Sequence, residues 1–98
     1  MQEILDLIQK MRITRGWDKT DTIASLIKSV SVEAGELLET IQWDDETIKR
    51  KELESELADV LMYALSICID LDIDVKKMIQ DKMPDVYARY PEIDKKDD

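Results

Sequence analysis

The stretch SVEAGELLETIQW, residues 31 to 43, sets Glu33, Glu36 and Glu39 three apart in an apolar helical pattern. Further along, ELESELADVL places Glu52, Glu56 and Asp59 at i, i+4 and i+7. Such rows either face water, where like charges at i, i+3 repel by only about 0.2 to 0.5 kcal/mol, or converge on a cation. Glu33 with Glu36 reads ExxE and Glu56 with Asp59 reads ExxD; with 23 acids in the chain, some such pairs arise by chance. Histidine is absent. That removes the usual general base near neutral pH and the imidazole ligand that suits zinc, iron or copper. An all-oxygen donor set suits a hard ion, Mg²⁺ or Mn²⁺, and no loop of alternating acids resembles a calcium-binding EF-hand.

The elements that must position these acids follow from period and punctuation. A first helix spans about residues 2 to 14, with Ile4, Leu5, Ile8, Met11 and Arg12 at helical spacing, and stops around Gly16. Thr20 or Asp21 caps a second helix that reaches about Trp43, with Ile23, Ile27, Val30, Ala34, Leu37 and Ile41 as its seam. DDET makes a short connection, and Asp44 or Asp45 caps a third helix from about Glu46 to Leu71. Its seam is Leu53, Leu57, Val60, Ala64, Ile67 and Leu71. Asp72 or Asp74 opens a fourth helix, DVKKMIQDKM, which Pro84 should kink or end near Met83. The expected architecture is one all-α domain over residues 1–98, with residues 92–98 a frayed tail. At its centre stands an antiparallel hairpin of the second and third helices.

Ideal geometry of about 100° and about 1.5 Å per residue tests whether the two acidic rows can meet. Measured from each seam, Glu33 lies roughly 80° and Glu36 roughly 140° to one side, and Glu56 roughly 60° and Asp59 roughly 120°. All four offsets share one sense. In an antiparallel pair, flanks of the same sense emerge on the same side. A turn near residues 44 and 45 puts Glu33 level with Glu56, and Glu36 about one turn from Asp59. Partly buried, four such carboxylates would repel at considerable cost without a cation. Glu39 and Glu52 lie further out and read as supporting or solvated residues.

Composition narrows the partners. A chain of 98 residues buries roughly two thirds of its unfolded surface, so a larger core needs a second copy. A net charge of −9 opposes binding to the phosphate backbone of a nucleic acid polymer. The single Cys68 allows no intrachain disulfide, and the apolar run around it is too short to span a bilayer. The first residues carry acids and lack a signal-peptide pattern. The expectation is a cytoplasmic protein without membrane attachment.

Together, EAGELLETIQW and ELESELADVLMYAL resemble the helices of the MazG-like all-α nucleoside triphosphate pyrophosphohydrolases, and especially the short single-domain, dCTP pyrophosphatase-like members. The resemblance runs over roughly residues 11 to 91 and takes in RGW, QW and KMPDVYARYP. It implies a four- to five-helix domain completed as a bundle by dimerisation, as a homodimer or a dimer of dimers. It also implies hydrolysis of a (d)NTP such as dCTP to the monophosphate and diphosphate, in nucleotide-pool house-cleaning. Carried over by position, Glu33, Glu36, Glu56 and Asp59 would hold Mg²⁺, or Mn²⁺ in its place, and form the catalytic set. Lys82 and Arg89 match the basic positions of the terminal motif and would bind phosphate, unless they are plain surface charge. Trp17 and Trp43 either stack on the base or pack at a helix end. This chain departs from the family pattern at Val86, where an Asn is usual, and in RGWDKTDT, which lacks the histidine of close relatives. Two rival readings keep the fold and drop the reaction: a non-catalytic nucleotide- and metal-binding module, and a plain helical dimerisation protein.

Overall fold

Gly16 takes φ +73°, in the left-handed region that a residue without Cβ enters freely, and there the chain turns its first corner. Before it runs α1 (Gln2–Thr14), and after it a single turn, α2 (Trp17–Thr20). Thr22 then starts α3 (Ile23–Glu39) with a reciprocal cap: Ser25 N–H donates to Thr22 Oγ1, and Thr22 N–H donates to Ser25 Oγ. The cap thus lies just beyond Thr20 and Asp21, because those two residues complete α2, where Asp21 N–H donates to the Trp17 carbonyl at 2.8 Å. The remaining helices are α4 (Arg50–Asp70) and α5 (Val75–Arg89), the latter capped by Asp74. This computed structural model describes residues 1–93, so most of the expected frayed tail lies outside the described residues.

The hairpin of α3 and α4 is the main packed unit, and α1 lies across α4. Both hairpin helices are shorter than their apolar periods imply: α3 stops at Glu39 rather than Trp43, and α4 begins at Arg50 rather than Glu46. At the first end the Thr40 hydroxyl donates to the Leu37 carbonyl, and the Thr40 and Ile41 N–H groups reach back three residues, tightening the last turn. At the second, the Asp44 carboxylate accepts from the N–H groups of Glu46 and Thr47. It closes a turn within the connection instead of capping a helix.

Pro84 does not end α5, which continues to Arg89. The carbonyl of Gln80 that a proline leaves without a donor is on an exposed residue, where water can satisfy it. The last helix packs only weakly on the rest and has no buried residue.

The seams need a second correction. Leu26, Val30, Glu33 and Leu37 turn inward on α3, whereas Ile27 is 56% exposed and Ala34 is exposed. On α4 the seam residue Leu57 is also exposed, as is Leu61 outside the seam. The apolar stripe read as one seam is therefore two faces. One closes the hairpin, and the other lines an open apolar groove of about 900 Å³ shared with α1 and α5. Rotation of the packed face brings Glu33 and Glu56 closer to the hairpin interior than their offsets suggested.

Candidate metal centre and adjoining cavity

Glu33 and Glu36 rise from one helix of the hairpin and Glu56 and Asp59 from the other, and one carboxylate oxygen of each lies within 4.8 Å of all the rest. The shared angular sense of the two rows produces this convergence. Shortening the helices leaves it intact, since residues 40–43 and 46–49 are lost equally from either side of the turn. Glu36 is exposed and the other three are partly buried. Buried oxygens Glu33 Oε2 and Glu56 Oε2 have no hydrogen-bond partner.

Electrostatics follows from that crowding. Glu33 is pushed up to about 7, first because its protonated form can donate to Glu36, then by burial and by the charges of Glu36, Asp59 and Glu56. Glu56 is raised as well, chiefly by burial, then by Glu36 and Asp59, with Glu39 adding a smaller push. Two orphaned oxygens and two carboxyls driven toward protonation describe a site short of positive charge. An ion bonded at about 2.1 Å separates opposite ligands by about 4.2 Å, so oxygens within 4.8 Å need little adjustment to hold one. The donor set thus fits a hard divalent cation.

Glu33 and Asp59 also form one end of a cavity of about 290 Å³, whose other walls include Trp17, Asp21, Tyr63 and Arg12. Arg12 is 1% exposed and makes a two-pronged pair with Asp70, at 2.9 Å through Nη1 and 2.8 Å through Nη2. The same guanidinium donates to Gln9 at 3.0 Å and to Asp21 at 3.4 Å. Its hydrogen bond and charge hold Asp70 below the usual carboxylate range. The Tyr63 hydroxyl is pushed up by burial and by neighbouring carboxylates, Glu33 foremost.

Of the other positions singled out by sequence, only Trp17 reaches this cavity. Trp43 is 89% exposed on the loop after α3, among Ile41, Gln42 and Asp44. Lys82 and Arg89 are both paired with Asp85 of their own helix, at 2.9 and 3.0 Å. Sequence reasoning passed over Asp21, Tyr63 and Asp70. A signal existed for the last: Arg12 stands on the apolar stripe of α1, and a buried guanidinium demands a carboxylate, which Asp70 offers at the end of the apolar run of α4.

The MazG-like family model matches residues 28–98. A crystal structure of a pyrophosphatase from Archaeoglobus fulgidus superposes with a TM-score of 0.85 and 37% sequence identity, covering 94% of this chain and 93% of that one. Among characterised relatives, dCTP pyrophosphatase 1 of Mus musculus is 27% identical and that of Homo sapiens 26%, each over 93% of this chain. The chain spans 59% of the length of those two relatives.

Proposed function

The chain belongs to the MazG-like family, and from that premise we propose that it hydrolyses a nucleoside triphosphate between the α and β phosphates. The products are the monophosphate and diphosphate. Glu33, Glu36, Glu56 and Asp59 would hold the Mg²⁺ that this reaction requires, or Mn²⁺ in its place. The observation that carries this reading is the meeting of four carboxylates with two unpartnered buried oxygens. The names of the characterised relatives support a deoxynucleotide, dCTP, as substrate.

When bound, such an ion neutralises the triphosphate and lowers the pKa of an attacking water. The protein's own groups do the rest. The four carboxylates fix where the phosphates sit, and one of them takes the proton of the attacking water. Trp17 and Tyr63 wall the adjoining space. Lys82 and Arg89 are further candidates for phosphate contact once released from Asp85, and Trp43 is a candidate for stacking.

The working unit is a dimer of this chain. Only Ile8, Leu26 and Cys68 are buried apolar residues among those described, while the groove between α1, α4 and α5 lies open. The radius of gyration, 17.1 Å, exceeds the about 13 Å of a self-sufficient globule of this length. A second copy laid on the groove would supply the missing core.

The test is to incubate the purified protein with each common dNTP and NTP plus Mg²⁺ and measure monophosphate and diphosphate. Release of diphosphate from at least one of them is expected. Tight nucleotide binding without product would replace the hydrolase with a binding module. Absence of both, with no Mg²⁺ effect on thermal melting, would leave a helical dimerisation protein.

A further inference from the structure

Two spaces in this chain share a partition. The apolar groove of about 900 Å³ and the cavity of about 290 Å³ beside the acids are both lined by Met11 of α1 and Met62 of α4. Along α4 the neighbouring residues divide between them: Ala58, Leu61 and Leu65 line the groove, whereas Asp59, Tyr63 and Ser66 line the cavity. Both methionines are only partly buried. A thioether side chain has three rotatable bonds and adapts to whatever shape its surroundings leave. With space on either side, it lacks the contacts that would hold it in one rotamer.

The acids are placed differently. Glu33, Glu36, Glu56 and Asp59 all rise from one copy's hairpin, and none of them lines the groove. A second copy is the occupant that suits the groove, because it offers the same apolar stripes in return, and the chain on its own buries few apolar side chains. Seated there, it closes the outer side of Met11 and Met62, with the acids on the other side of the partition.

We propose that Met11 and Met62 are positioning residues through which docking of a second copy sets the cavity wall, so that nucleotide affinity depends on assembly and metal affinity does not. The proposal rests on the nucleotide reading of the acid cluster and on the dimer. A wall that is competent in only a fraction of molecules weakens apparent binding by that fraction. Equilibrium dialysis against the α,β-methylene analogues of dATP, dCTP, dGTP and dTTP at fixed Mg²⁺ tests it, on samples above and below the monomer–dimer transition seen in sedimentation velocity. The best-bound analogue should bind the monomer about tenfold more weakly than the dimer. Mn²⁺ binding, counted by electron paramagnetic resonance on the same samples without nucleotide, should stay within about twofold. Ile27→Glu, at a groove residue outside the cavity, supplies the monomer where dilution does not, and should show the weak value at every concentration. In that background Met11→Leu with Met62→Leu, similar in volume and with fewer rotatable bonds, should recover about threefold or more of the lost affinity. No recovery would make the partner's own contacts the cause and overturn the proposal. So would equal nucleotide affinity in monomer and dimer, a parent that is monomeric throughout, or Mn²⁺ binding that falls in step with the nucleotide's. Equal affinity accompanied by diphosphate release from a dNTP would keep the hydrolysis and sink the partition alone. Binding of no analogue at any concentration would sink the nucleotide reading and this inference together.

Discussion

Carboxylates gathered within 4.8 Å must be protonated, bridged by a cation, or repelling one another. With Glu33 raised to about 7, the folded chain binds more protons than the unfolded one between the ordinary carboxylate range and that value. Stability of the metal-free protein should therefore be greatest below about pH 4.5 as far as Glu33 contributes, and decline as pH rises toward 7. Melting curves at a series of pH values in chelator would show it, and Glu33→Gln should flatten the trend. Added Mg²⁺ at pH 7 should stabilise the fold by RT ln(1 + [L]/Kd) and so raise the melting temperature, and lowering the pH should weaken that rise as protons compete. Either Glu36→Gln or Asp59→Asn should cut turnover by about a hundredfold or more while the metal-free protein melts no lower than its parent. Wild-type rates in both variants would place the chemistry elsewhere. These acids were legible because a helix converts spacing into angle. Asp21 and Tyr63 were not, because their meeting in one cavity wall depends on how the helices pack, and no spacing rule encodes that.

At the scale of elements, Arg12 and Asp70 tie the start of the chain to the end of α4. Asp70→Asn leaves the buried guanidinium with Asp21, at 3.4 Å, as its one charged partner and should cost about 2 to 4 kcal/mol in chemical denaturation. Because Asp70 is depressed in the fold, its contribution is present above the ordinary aspartate value near pH 4 and fades as pH falls through its lower folded value. The gap between Asp70→Asn and its parent should then close in acid. Thr22→Ala removes a cap and should cost about 1 kcal/mol. The helices themselves were readable from period, but their ends were not. Ile41 and Trp43 continue the apolar rhythm of α3, yet Trp43 lies almost wholly in solvent, and the Thr40 and Asp44 side chains offer the backbone a turn in place of a helix. Pro84 misled in the opposite direction, since a helix bathed in solvent tolerates an unpaired carbonyl.

For the whole molecule, the open groove sets the expectation. Ile27→Glu or Leu61→Glu, at exposed positions lining it, should convert the proposed dimer to a monomer in sedimentation velocity. It should also abolish any dependence of melting temperature on protein concentration. A parent that sediments as a monomer at all concentrations would refute the dimer. Periodicity alone could not distinguish the two apolar faces of α3 and α4, since a stripe that closes a hairpin and one that meets a second copy obey the same rule. The cavity has a comparable division. Its acids come from the hairpin, inside the stretch that matches the family, whereas Trp17 and Asp21 precede that stretch. The acid cluster and the outer wall of the cavity thus occupy separable cassettes of one short chain. A chimera carrying a relative's counterpart of residues 1–22 on this hairpin should then change the cavity wall and retain the recipient's demand for metal.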